Sequence, residues 1–184
     1  AVTVDLSLTS YQLVRTGELD KLTNIEGLLG SSHHDTLTGN TSDSWIDGGL
    51  GNDTINGGSG SDIIYANKGN DTANGGDNND TFHVSSLAEN LPTIIDGGAR
   101  DGGDGNVLVL LDLVSGSYTM ADLASANERL VNIDTLDIRD DVKTTITISA
   151  QDIQNMVDGG NSSILHVKSD IGVNEDILVI NAPV

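Results

Sequence analysis

Between Gly30 and His83 an acidic residue recurs at every ninth position with one exception, and two residues after each comes an apolar side chain. Six consecutive units carry the pattern: GSSHHDTLT, GNTSDSWID, GGLGNDTIN, GGSGSDIIY, ANKGNDTAN and GGDNNDTFH, approximating G-G-x-G-x-D-x-U-x with U apolar. Position six holds Asp35, Ser44, Asp53, Asp62, Asp71 and Asp80, and position eight holds Leu37, Ile46, Ile55, Ile64, Ala73 and Phe82. Carboxylates at a fixed interval suit cation coordination. If two units form one coil, residues eighteen apart stack at about 4.8 Å. The acids then fall into two columns, Asp35, Asp53, Asp71 and Ser44, Asp62, Asp80. Carboxylates so close repel unless a cation lies between coils, and oxygens from Asp and turn carbonyls suit Ca2+ better than Zn2+. The pairs Asp35/Asp53, Asp53/Asp71 and Asp62/Asp80 each offer two carboxylates. The Ser44/Asp62 step offers one, with Asp43 as a substitute, so three full sites and one weaker site are expected. Folding and calcium binding are expected to be one event.

A repeat of this period calls for a parallel β-roll. Glycine permits the tight turn, the D-x-U-x half is extended, and alternation sends U inward. The expected fold class is predominantly all-β, a right-handed parallel β-roll continued by a β-rich C-terminal part with two short helices. Residues 1–29 form a run-in in which Val2, Val4, Leu6 and Leu8 alternate with polar residues, as a strand capping the first coil does. Ser10 to Asn24 reads as a polar connection before Ile25, Leu28 and Leu29. The roll occupies 30–83, and 84–106 is an acidic, Gly-rich exit loop. Val84 to Pro92 keeps the length of one unit and places Glu89 eighteen residues after Asp71, although a polar loop is the plainer reading. Gly102, Gly103 and Gly105 then return to phase, with Val107 at the Asp position.

Residues 107–184 form the C-terminal part, packed as one unit with the roll. Strands are expected at Val107 to Leu113, Ile133 to Ile138, Thr144 to Ile148, Ile164 to Lys168 and Ile177 to Ile180. Thr119 with Asp122 resembles a capping box for a helix reaching about Leu130. Ser149 with Asp152 opens a second helix to about Val157, ended by Gly159 and Gly160. The echo of Asn24-Ile25-Glu26 in Asn132-Ile133-Asp134 suggests that the parallel coil continues, with the helices over its edges.

The tandem GGLGNDTINGGSGSDIIY, approached through LTNIEGLLGSSHHDTLTGN, resembles the RTX (repeats-in-toxin) nonapeptide family of secreted bacterial proteins. That resemblance implies Ca2+ binding by turn carbonyls and by Asp35, Asp53, Asp62, Asp71 and Asp80, with Ser44 a departure from the pattern. The tail, with NIDTLDI, TITISAQDIQNMVDGG and SILHVKSD, resembles a segment that accompanies such repeats in very large repetitive bacterial adhesins. The implied role is that of a non-enzymatic module exported by type I secretion to the medium or the bacterial cell surface. It would fold on extracellular Ca2+ and contribute to cell adhesion and biofilm formation. Two alternatives stay open: the ligand-binding head of an adhesin, recognising peptide termini or sugars on a host or neighbouring cell, and the accessory roll of a secreted enzyme.

Composition narrows the partners. A net charge of −20, from 28 acidic against 8 basic residues, disfavours nucleic acid and anionic membrane. With no cysteine there is neither a disulfide framework nor a thiolate. No apolar run long enough to span a bilayer and no signal-like start is present, and the opening on Ala1 suggests a piece of a longer protein. G-x-S-x-G, H-E-x-x-H and P-loop motifs are all missing, so no enzyme is expected. His33 and His34 read as turn residues and His83 and His166 as surface residues. Asp101 and Asp104 could hold a further Ca2+ with an open position for a carboxylate or sugar, with a structural loop as the preferred reading. Trp45 and Tyr65 are expected to face outward, either for recognition or for packing on the tail. Positions three and five lack the regular Thr and Asn array that ice binding calls for.

Overall fold

Alternation along each D-x-U-x half buries one side chain per unit, and glycine turns return the chain so that successive halves lie in two facing sheets. In the computed structural model, residues 1–15, 18–84, 94–99, 105–111, 116–119, 130–139, 144–149, 166–169 and 177–181 are described. The strands of the first part are β1 (Thr3–Asp5), β2 (Gln12–Arg15), β3 (Glu18–Asp20), β4 (Gly27–Leu29), β5 (Thr36–Thr38), β6 (Trp45–Asp47), β7 (Thr54–Ser59), β8 (Ile63–Ala66), β9 (Thr72–Asp77) and β10 (Thr81–Val84). Those of the second are β11 (Ile94–Asp96), β12 (Val107–Leu111), β13 (Gly116–Thr119), β14 (Leu130–Val131), β15 (Thr135–Arg139), β16 (Thr144–Ser149), β17 (His166–Ser169) and β18 (Ile177–Asn181).

A six-stranded sheet runs β1-β5-β7-β9-β11-β14, and a seven-stranded sheet runs β17-β15-β12-β10-β8-β6-β4. Every pairing within them is parallel. Leu37 pairs with Ile55 and Ile55 with Ala73 in one sheet, while Ile46 pairs with Ile64 and Ile64 with Phe82 in the other. All six position-eight side chains are buried in one continuous core. The eighteen-residue coil is therefore the repeating unit of the roll.

Past the repeats the coil lengthens and widens. Ile94 pairs with Thr72 where the period would bring residue 90, and Val107 pairs with Thr81. The chain then adds a third side: β13, β16 and β18 form a separate parallel sheet, and Ile146 and Ile148 of β16 join the same core. The expected continuation of the parallel coil is thus present. Tyr118 and Thr119 lie in β13 and Leu130 in β14, so neither end of the first expected helix is helical; its body, and the second helix after Ser149, fall outside the described residues. Strand register moved some boundaries: β12 is described to Leu111, and β15 starts at Thr135 because Asn132 turns the chain at φ 56°.

Strand β1 caps the first coil by pairing with β5, with Val4 buried and Val2 and Leu6 packed against the core, although Leu8 is exposed. The segment from Ser10 to Asn24 is more ordered than a polar connection, since β2 and β3 form an antiparallel hairpin. Its Gln12 side chain accepts the N–H of Asp5 at 2.7 Å and donates to the carbonyl of Asp5 at 2.6 Å. One amide thus occupies both hydrogen-bonding groups at an edge that would otherwise invite another strand.

Replacing the fully buried Phe82 with Ala in saturating calcium is expected to cost about 3–5 kcal/mol in urea unfolding. Leu8→Ala, at an exposed site, should stay within about 0.5 kcal/mol. Equal effects would contradict this assignment of the core.

Candidate calcium columns

Each position-six residue stands where a turn becomes a strand, so its backbone takes part in the ladder while its side chain folds back between coils. The N–H of Asp35 donates to Oδ1 of Asp53 at 2.8 Å, and that of Asp53 to Oδ1 of Asp71 at 2.9 Å. In the second column Ser44 donates to Oδ1 of Asp62 at 2.7 Å and Asp62 to Oδ1 of Asp80 at 2.9 Å. One carboxylate oxygen per level is therefore consumed by the coil before it. The other is free for a ligand only where the protein supplies no donor.

Asp62 and Asp80 meet that condition. Their Oδ2 atoms are buried and make no hydrogen bond. Each lies over a glycine that a carbonyl of the next coil also approaches: a Cβ on Gly57 would collide with Asp62 Oδ2 and the Gly75 carbonyl, and one on Gly75 with Asp80 Oδ2 and the Gly97 carbonyl. Only glycine leaves room for these oxygens to converge. Asp35 differs, because its Oδ2 accepts the Ser31 N–H at 2.5 Å and its Oδ1 the Val2 N–H at 2.6 Å.

The electrostatics follow the donors. Burial pushes Asp80 up to about 7, with Asp62 and Asp77 nearby adding to the effect. Burial likewise raises Asp62 and Asp71 to about 6, and it raises Asp53 with help from the charges of Asp35 and Asp47. At Asp35 burial also pushes upward, but the hydrogen bonds from Ser31 and Val2 outweigh it and the carboxyl ends below its usual range. A buried anion without a donor is costly unless protonated or paired with a cation. Among the described residues no three His, Cys, Asp or Glu side chains converge on one point. A cation here would be held by carboxylates together with backbone carbonyls, an all-oxygen set that fits Ca2+ and not Zn2+.

The other candidates lie elsewhere. Asp43 is exposed and accepts the Ser61 N–H at 2.8 Å, and its charge adds to the upward push on Asp62, while the buried position-six place is held by Ser44. Ser44 Oγ donates to the Ser42 carbonyl at 3.0 Å. Glu89, Asp101 and Asp104 fall outside the described residues, and the pairing of Ile94 with Thr72 removes the eighteen-residue step that linked Glu89 to Asp71. His33 and His34 are exposed, and His34 Nδ1 accepts the Asn52 N–H at 2.8 Å. Trp45 does face outward, against Tyr65 at 5.6 Å between ring centres, and Tyr65 stacks on His83 at 4.5 Å.

Residues 29–64 and 56–86 match the family described as the RTX calcium-binding nonapeptide repeat, in four copies. Residues 29–86 are RTX calcium-binding repeats. RTX repeats bind Ca2+ at several sites, and proteins that carry them are generally exported. No curated protein and no solved structure matched the chain. Among the described residues no helix is long and apolar enough to cross a membrane, which leaves strands unaddressed.

The second column of the RTX roll extends beyond the match at both ends. Gly27 pairs with Trp45, which sets Glu26 beside Ser44 at the start. At the far end the backbone N–H of Asp80 donates to Asn106 Oδ1 at 2.8 Å and that of Asn106 to Asp134 Oδ2 at 3.0 Å. The position-six place is thus Asn106, one residue before Val107, and nine-residue counting missed it because the intervening coil is longer. The readable signal was Asp134-Thr135-Leu136, which repeats the D-x-U order of Asp35-Thr36-Leu37.

Raised carboxyls favour the metal-free roll below their unfolded value near 3.8 and progressively disfavour it as pH rises through about 6 to 7. In excess chelator, β-structure by circular dichroism should therefore increase as pH falls from 8 to 4.5. With Ca2+ present the dependence reverses, since protons compete for the same oxygens and affinity weakens below about pH 7. A chelated chain that gains β-structure as pH rises would contradict the assignment.

Proposed function

We propose that the chain is a non-enzymatic calcium-binding module of an exported bacterial RTX adhesin. In low calcium the carboxylate columns keep the roll open, and extracellular Ca2+ closes it. The observation that carries this reading is the pair of buried oxygens, Asp62 Oδ2 and Asp80 Oδ2, that no protein donor reaches. Support for the adhesin context is the run of parallel strands from β4 to β17 in one sheet, which among the described residues carries the repeats and strands of the adhesin-like tail together. Attachment and biofilm formation are the role proposed for the parent protein.

A second reading, that this segment is itself a ligand-binding head, draws on the row Trp45, Tyr65 and His83. Trp45 is 40% exposed and Ile63 beside it is also exposed, which gives the outer face of the seven-stranded sheet an apolar strip in a chain with few aromatics. Such a strip suits the apolar face of a sugar or a peptide side chain.

Beads coated with the calcium-loaded chain, presented to bacterial and host cell layers, separate these readings. Calcium-dependent attachment abolished by Trp45→Ala is expected of a head, whereas a structural module folds in calcium and leaves the beads unattached. Attachment indifferent to chelator would contradict both.

A further inference from the structure

Two features recur at Asp62, Asp80 and Asn106 in the second column. One side-chain atom accepts an N–H from the coil before, and the other lies over a glycine against a carbonyl of the coil after. For Asp62 the second atom is Oδ2, over Gly57 and against the Gly75 carbonyl; for Asp80 it is Oδ2, over Gly75 and against the Gly97 carbonyl. At Asn106 the geometry is the same, but the atom over Gly97 is Nδ2, and the carbonyl is that of Asn132. Here the contact is a hydrogen bond, donated by Nδ2 at 2.9 Å. Its Oδ1 accepts from the Asp80 N–H at 2.8 Å, so both ends of the amide are fixed by their partners. Asn106 is fully buried, and water has no part in the exchange.

We infer that the cation column ends at Asp80, and that the Asn106 amide holds by an N–H the place that Ca2+ holds between carboxylate and carbonyl in the coils below. This inference rests on the calcium reading of the columns and adds where they stop. At Asp62 and Asp80 the atom facing the glycine is an oxygen without a hydrogen bond, beside a carbonyl that also cannot donate, so at neutral pH and above a cation is the partner that fits between them. At Asn106 donor meets acceptor, and the coil carrying β15 is joined to the roll without metal. A one-atom difference between Asp and Asn therefore divides the metal-dependent ladder from the metal-free one.

The test uses the full chain, with calcium per chain counted by equilibrium dialysis and stability read by urea unfolding in saturating calcium. Asn106→Asp restores the oxygen pair and should bind one more Ca2+ than the parent. Asp80→Asn should bind one fewer, and its new amide, facing the Gly97 carbonyl, should make it more resistant to urea than Asp80→Ala. An unchanged count in a folded Asn106→Asp protein overturns the inference. If Asn106→Asp does not fold at any calcium concentration, the comparison at residue 80 decides, and Asp80→Asn no more stable than Asp80→Ala overturns it. A parent chain that binds no calcium overturns the calcium reading itself, which is a separate result.

Discussion

A carboxylate oxygen buried against a backbone carbonyl is the constraint around which this chain is built. Water cannot reach Asp62 Oδ2 or Asp80 Oδ2, and the protein offers them no donor. The coil geometry creates that situation rather than relieving it, because the ladder that stacks the coils spends the other oxygen of each Asp on the N–H of the coil before. Glycine at Gly57 and Gly75 leaves room for both the Asp oxygen and the next coil's carbonyl, where a side chain would collide with each. On the proposed reading the fold is conditional: it closes with a proton or a cation, and at neutral pH the cation is the stronger partner.

The same constraint accounts for the change of architecture along the chain. In the repeats each coil contributes two or three buried apolar side chains, among them Ala66 and Ala73, so the apolar core is thin and cation binding in the columns would add to it. Beyond Asp80 the strands of the seven-stranded sheet lengthen at β12 and β15, Leu108 and Leu110 are both buried in β12, and a third sheet adds Ile146 and Ile148. There the position-six place passes to Asn106, which bonds within the protein. Gln12 does comparable work at the opposite end, where its amide covers the edge of β1. Amides thus flank the repeats, whose own columns are built of carboxylates.

Much of this was legible because the repeat states position, direction and chemistry at once. Leu37 through Phe82 read as inward and are buried, and the eighteen-residue step was correct from Asp35 to Asp80. Counting failed where the coil length changed: Glu89 and Val107 were placed by a period that no longer held, and Asn106 was passed over. The echo between Asn24-Ile25-Glu26 and Asn132-Ile133-Asp134 proved structural, since both asparagines adopt positive φ and each triplet leads into a strand of the seven-stranded sheet. Periodicity could not reveal the hairpin of β2 and β3, whose Leu13 and Leu19 are exposed and leave no buried stripe. Nor could it show that Asp35 is satisfied by Ser31 while Asp80 is not, a difference set by what surrounds two residues with the same place in the repeat.

The most direct test of the account is a calcium titration followed simultaneously by calorimetry and far-UV circular dichroism at neutral pH. The account predicts that several ions bind and that the gain of β-structure coincides with binding, with magnesium unable to substitute at equal concentration. A chain already fully folded in excess chelator at that pH, or one that binds calcium without gaining β-structure, would contradict it.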